Sequence, residues 1–125
     1  MIDHISVGVS DLQRSATFYE ATLAALGLAR LVTRPRTVGF GKAYPEFWIN
    51  LRESMPHVTP ESGVHICLRA RTTAEVDAFH AAALSAGGAS DGAPGIRPHD
   101  RVRYYAAFVV DPDGNRIEAV TFPAD

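Results

Sequence analysis

The chain has 125 residues, 46% hydrophobic and 21% charged, without a long biased tract: enough for one domain with a packed core or two small fused units, too little for two conventional domains. Its formal charge of -2 excludes nonspecific nucleic-acid binding as the main business, because neutralising phosphates takes a basic excess. A single cysteine, Cys67, excludes an intrachain disulfide framework, and no stretch reaches the ~18 apolar residues of a membrane span or resembles a secretory leader, so a cytoplasmic protein without membrane contact is expected.

The first element, "IDHISVGV", alternates as a strand does, with Ile5, Val7 and Val9 on an apolar face and His4, Ser6 and Gly8 opposite. "DLQRSATFYEATLAALG" follows as a helix ending at Gly27. "LARLVTR", "TVGFGKA" and "EFWINLRE" read as three strands, the last packing Phe47, Ile49 and Leu51 and turning Trp48, Asn50 and Arg52 outward. "GVHICLRA" then starts a second round, packing Val64, Ile66 and Leu68 while His65, Cys67 and Arg69 turn away. A second helix runs to Gly88. The Gly/Pro-rich segment after it lacks the strand-to-helix setting of a phosphate cradle and reads, over 87–95, as a flexible connection. "RYYAAFVV" and "NRIEAVTF" are strands joined by the turn Asp111-Pro112-Asp113-Gly114, where proline presets one angle and glycine takes the positive φ. The last strand packs Ile117 and Ala119 and exposes Arg116, Glu118 and Val120.

The two rounds are related. At an offset of 61, His4-Ile5 falls on His65-Ile66, Phe18 on Phe79, Leu23 on Leu84 and Gly27 on Gly88. Aligning the ends with an offset of 68 places Phe40 on Phe108, Ile49 on Ile117 and Asn50 on Glu118. The fold class is therefore α+β, a single domain over 1–125 made of two βαβββ modules, one over about 1–56 and one over about 62–123.

His4, Asn50, His65 and Glu118 then share the face away from the helices and converge if the halves curl together. Two imidazoles and one carboxylate suit a borderline divalent metal and leave coordination positions open, as a catalytic site needs and a structural one lacks. A lone strand histidine is ordinarily a plain strand residue; two at matching places of a repeat are harder to explain that way.

The segments "DHISVGVSDLQRSATFYEATLAALGL", "GVHICLRA" and "AFVVDPDGNRIEAV" together resemble the vicinal oxygen chelate superfamily, which takes in glyoxalase I, extradiol dioxygenases, methylmalonyl-CoA epimerase, fosfomycin-modifying transferases and bleomycin-binding proteins. The resemblance implies a curved mixed sheet around a cleft, helices on its outer face, with one divalent metal per site (Fe, Mn, Zn, Ni or Co) held by His4, His65 and Glu118. It further implies a homodimer with shared clefts, His4 of one chain facing His65 and Glu118 of the other; a cleft within one chain is the alternative. Asn50 stands where glyoxalase I has a glutamate and the epimerase a glutamine, so it is a fourth ligand or a partner of bound water. Phe108 stands where the extradiol enzymes carry a tyrosine, and a phenyl ring donates no hydrogen bond; Tyr104 is the phenol that strand parity puts nearest.

Trp48, Arg52, Arg69, Tyr104, Phe108 and Arg116 complete the expected substrate cleft, the arginines suiting a carboxylate or phosphate or else reaching out to solvent. Cys67 reads as a small hydrophobe rather than a nucleophile. His80 is read as surface or packing; His57 and His99 lie in loops, His99 as a lid candidate. The expected function is a metal-dependent lyase, isomerase or transferase acting on a small, oxygenated, anionic substrate. The alternatives are a ligand-sequestering protein of the bleomycin-resistance type and an extradiol-type dioxygenase. No catalytic residue, substrate, metal identity or thiol cosubstrate is assigned by the sequence.

Overall fold

The computed structural model describes residues 1–124. Its elements are β1 (Ile5–Val9), α1 (Leu12–Ala24), β2 (Ala29–Thr33), β3 (Thr37–Gly41) and β4 (Pro45–Leu51), then β5 (His65–Arg69), α2 (Thr73–Ser85), β6 (Ala89–Arg97), β7 (Tyr104–Val110) and β8 (Arg116–Thr121). They form two four-stranded sheets ordered β1-β4-β3-β2 and β5-β8-β7-β6. In each, the first strand pairs parallel with the last and the other pairs are antiparallel. The βαβββ unit is thus built twice, as the repeat predicts.

Both helices begin on a capping oxygen: Asp11 accepts from the Arg14 amide at 3.0 Å and Thr72 from the Glu75 amide at 3.1 Å, each satisfying a donor with no partner inside the helix. The second helix ends at Ser85, three residues before the predicted glycine. Gly87, at φ +100°, turns the chain there, whereas Gly88 permits a close approach: a Cβ on it would lie 2.5 Å from the Phe18 ring.

Phe18, Tyr19, Leu23, Phe40, Phe47 and Ile49 of the first round and Val76, Phe79, Ala107, Val109 and Ile117 of the second share one continuous core. Its helices pack on each other as well as on their own sheets. The helix-side faces of both sheets are thereby used up within the chain, and the opposite faces carry exposed His4, Ser6, His65, Cys67 and Arg69.

The "DPDGN" motif ties the two halves. The Asp111 carboxylate accepts from the Tyr19 phenol at 2.6 Å and from the amides of Asp113 and Asn115, while the Asn115 side-chain amide donates to the Gly8 carbonyl at 2.9 Å. The Asp113 carboxylate accepts from the Ser10 amide at 3.0 Å and from the Ser10 hydroxyl at 2.5 Å, with Arg14 at 3.4 Å. Burial raises the Asp111 carboxyl pKa against the lowering effect of its hydrogen bonds, and burial first, then the Asp111 charge, pushes the Tyr19 phenol well above its ordinary range. Gly114 takes φ +93°, as the turn requires.

Four sequence expectations are corrected. The segment 87–95 is not a flexible connection: Ala89–Arg97 is an edge strand paired with β7, and its glycines fall at register shifts between Ser90, Gly92 and Gly95. An edge strand tolerates Pro94 and bulges that an inner strand would not. Val64 is 63% exposed because β5 begins one residue later. Glu118 and Val120, expected exposed, are buried at 2% and 5%; β8 is an inner strand, and side chains from β5 and β7 cover Glu118. Finally, Ile5 pairs with Phe47 and Ile66 with Ile117, so the register makes Trp48, not Asn50, the counterpart of Glu118. The offset of 68 misses by two residues because the loops between strands differ in length.

Candidate metal centre

Glu118 sits on β8 beside Cys67 of β5, and His65, two residues earlier on the same face, reaches it diagonally: Nε2 lies 3.0 Å from Oε1. The Tyr104 phenol, from the start of β7, donates to Oε2. A carboxylate this buried would be costly without partners, and these two hydrogen bonds offset that cost. The neighbours feel its charge. Desolvation first, then the Glu118 carboxylate, pushes the Cys67 thiol up to about 12; desolvation and the bond to Glu118 raise the Tyr104 phenol as well.

Aromatic contacts hold this half in shape. The His99 ring stacks on Tyr104 at 5.9 Å with 12° between planes, and Phe122 meets Tyr104 edge-on at 5.5 Å. The Arg69 guanidinium lies 4.5 Å over Phe122. Phe108 faces Glu118 across the β7–β8 ladder, with the Arg97 guanidinium 5.4 Å over its ring.

The first round presents a second half. His4 stands just before β1, its Nδ1 2.7 Å from the Asp3 carboxylate; that bond places the ring proton on Nδ1 and leaves Nε2 as the free donor atom. Trp48 lies flat across Gly39, where a Cβ would come within 2.8 Å of the indole, and Arg34 is 5.6 Å over the ring. Asn50 accepts from the Thr37 hydroxyl. His4, Ser6, Arg34, Trp48 and Asn50 line one depression of about 510 Å³.

The structure thus brings His65 to Glu118 and Tyr104, and His4 to Trp48 and Asn50, without gathering His4, His65 and Glu118 into one cluster. His4 and His65 both border a shallow depression at the edges of β1 and β5. Among the described residues of a single chain, no three His, Cys, Asp or Glu side chains are grouped to hold a metal ion. Of the predicted cleft arginines, Arg116 is paired with Asp91, Arg69 rests on Phe122 and Arg52 is exposed beyond the end of β4. His80 bonds Ser90 at 2.8 Å, a packing role.

Sequence reasoning missed Asp3, Arg34 and Phe122. An acidic residue directly before His4 was a visible signal for Asp3; Arg34 and Phe122 reach their faces from beyond the strand ends, where alternation says nothing.

The model of the Glyoxalase/Bleomycin resistance protein/Dioxygenase superfamily matches residues 1–119. The chain belongs to that superfamily. Among solved structures, this glyoxalase-superfamily chain is similar to a glyoxalase/bleomycin resistance protein from Albidiferax ferrireducens T118, at 32% identity over 94% of this chain and 95% of that one, with a TM-score of 0.82. It shares the fold of the fosfomycin resistance protein FosX from Listeria monocytogenes, at 19% identity, 94% and 88% coverage and a TM-score of 0.66. It also shares the fold of a glyoxalase I variant from Zea mays, at 23% identity and a TM-score of 0.65, covering 94% of this chain and 44% of that one. No curated protein matches the sequence. Among the described residues, no helix of this superfamily member is long and apolar enough to cross a membrane.

Proposed function

We propose that this superfamily member is a divalent-metal-dependent enzyme of lyase, isomerase or transferase type, working as a homodimer on a small anionic substrate with vicinal oxygens. The observation that carries it is the His65–Glu118 pair. A ring nitrogen and a buried carboxylate oxygen meet at 3.0 Å on rigid strands, beside an open face that lacks a third ligand. His4 of the partner subunit would supply that third ligand, its Nε2 left available by Asp3. The donor set, two imidazole nitrogens and one carboxylate oxygen, fits Fe, Mn, Zn, Ni or Co. A bound ion supplies Lewis acidity or an oxygen-binding centre.

The chain's own residues do the rest. Arg69 and Arg34, each over an aromatic ring on an open face, suit a carboxylate or phosphate group. Trp48 and Phe122 give the substrate apolar walls. Asn50, held by Thr37, is placed to bond substrate or bound water rather than to match Glu118. Phe108 opposite Glu118 donates no proton, which ranks ring cleavage below the other reactions. A reducing, cytoplasmic setting suits the free Cys67 thiol.

Metal analysis of protein purified without added metal tests this reading. We expect close to one divalent ion per chain in the wild type and near-complete loss in His65→Ala. Unchanged stoichiometry in His65→Ala would refute the ligand assignment, and a wild-type protein that takes up no metal would favour a ligand-sequestering role in its place.

A further inference from the structure

Tyr104 does not stand where the extradiol enzymes carry their tyrosine, a place taken by Phe108, yet its phenol takes one of the two oxygens of Glu118. We propose that Tyr104 is a positioning residue that fixes how Glu118 meets a cation: Oε2 is held by the phenol, and Oε1 alone, turned toward His65 Nε2, is offered as a ligand. This rests on the reading of His65 and Glu118 as metal ligands.

A carboxylate with both oxygens free binds a divalent ion through one oxygen or through two, and swings about its last bond between them. On Glu118 the two oxygens are distinguished: Oε1 is 3.0 Å from His65 Nε2, and Oε2 accepts the Tyr104 O–H. An ion entering between His65 and Oε1 displaces only the contact between those two groups. The phenol bond stays in place.

The phenol is itself held. The ring lies against His99, nearly parallel at 5.9 Å, and against the edge of Phe122 at 5.5 Å. Its backbone opens β7, which pairs with β8 from Tyr105 onward, so ring and carboxylate ride on neighbouring strands of one sheet. Glu118 is 2% exposed, which leaves it little access to water as a substitute donor. A partner that orients a ligand in this way commonly changes metal affinity by roughly 10- to 100-fold when removed.

The test is a Co(II) titration of metal-free protein, followed by the visible absorption of the bound ion. Wild type, Tyr104→Phe and His99→Ala are compared, with thermal melting of each metal-free protein as a folding control. Tyr104→Phe keeps the ring and its packing but loses the O–H. We expect its Co(II) Kd to rise roughly 10- to 100-fold and its absorption band to shift in position and intensity as Glu118 becomes free to chelate. His99→Ala, which loosens the ring from an exposed position, is expected to change both readouts less and in the same direction; it carries the test alone if Tyr104→Phe does not fold. Wild-type affinity and an unshifted band in the folded variants would overturn the inference while leaving the metal reading intact. A wild type that binds no Co(II) would overturn the metal reading, and this inference with it.

Discussion

Cys67 shows how burial and a neighbouring carboxylate act together at this site. The residue is exposed on the open face of β5, but its sulfur lies against Glu118, and desolvation together with that carboxylate pushes the thiol up to about 12 from an ordinary value of 9.0. A group whose pKa is raised holds its proton longer as pH climbs, and the thiolate is the reactive form. Alkylation of metal-free protein by iodoacetamide is therefore expected to stay slow through pH 8–9, with on the order of 10³-fold less thiolate than an ordinary cysteine, and to accelerate only as pH nears the raised value. Reaction at pH 8 at the rate of a free thiol would contradict the raised thiol. At the same scale, Asp3→Ala removes the carboxylate that orients His4, and metal affinity is expected to fall roughly 10-fold or more by isothermal titration.

The elements are joined by the Asp111–Asn115 turn, and that joint adds to the fold's pH dependence at high pH. Tyr19 on α1 donates to buried Asp111, and its folded pKa is raised above the unfolded value of about 10. By linkage, above pH 10 the unfolded chain loses a proton that native Tyr19 keeps, so this contribution to stability is full below pH 10 and falls as pH rises beyond it. Tyr19→Phe is expected to cost about 1–3 kcal/mol at neutral pH, by leaving Asp111 short of a donor, and to flatten this alkaline loss; denaturant unfolding at pH 7 and pH 11 measures both. Asp113→Ala strips an acceptor from Ser10 and Arg14 at once. A loss of about 2–4 kcal/mol in the same assay is expected, and a change within ±0.5 kcal/mol would mean the turn does not brace the two halves.

Much of this was legible in the sequence at the level of elements. Alternation marked β1, β4, β5 and β8, because each buries one apolar face against a helix, although on β8 the opposite face is covered as well. The repeat identified the βαβββ unit and paired His4 with His65. Three things were not legible. The strand Ala89–Arg97 was hidden because its residues suit an edge with bulges rather than a buried, alternating strand. The match of Asn50 with Glu118 failed because loop lengths differ between rounds, and only the β1–β4 and β5–β8 ladders reveal that Trp48 is the counterpart. The burial of Glu118 depends on Tyr104, fourteen positions away along the chain, and single-strand patterning carries no information about that contact.

At the scale of the whole molecule, one core absorbs the helix-side faces of both sheets, and among the described residues the three candidate ligands are not grouped within one chain. A second copy that sets its His4 half against the His65–Glu118 half would complete two equivalent sites, as a two-fold axis requires. This makes a prediction about mixing that a within-chain site cannot imitate. His4→Ala and His65→Ala chains are each expected to bind no metal alone. In a mixed dimer one site receives both defects and the other neither. Equimolar mixing after subunit exchange is therefore expected to restore metal binding at about a quarter of the sites. The decisive measurement is bound metal per chain in that re-equilibrated mixture. Recovery toward a quarter of the wild-type value is the result this account predicts, and a mixture as empty of metal as either variant alone would contradict a site shared between two chains.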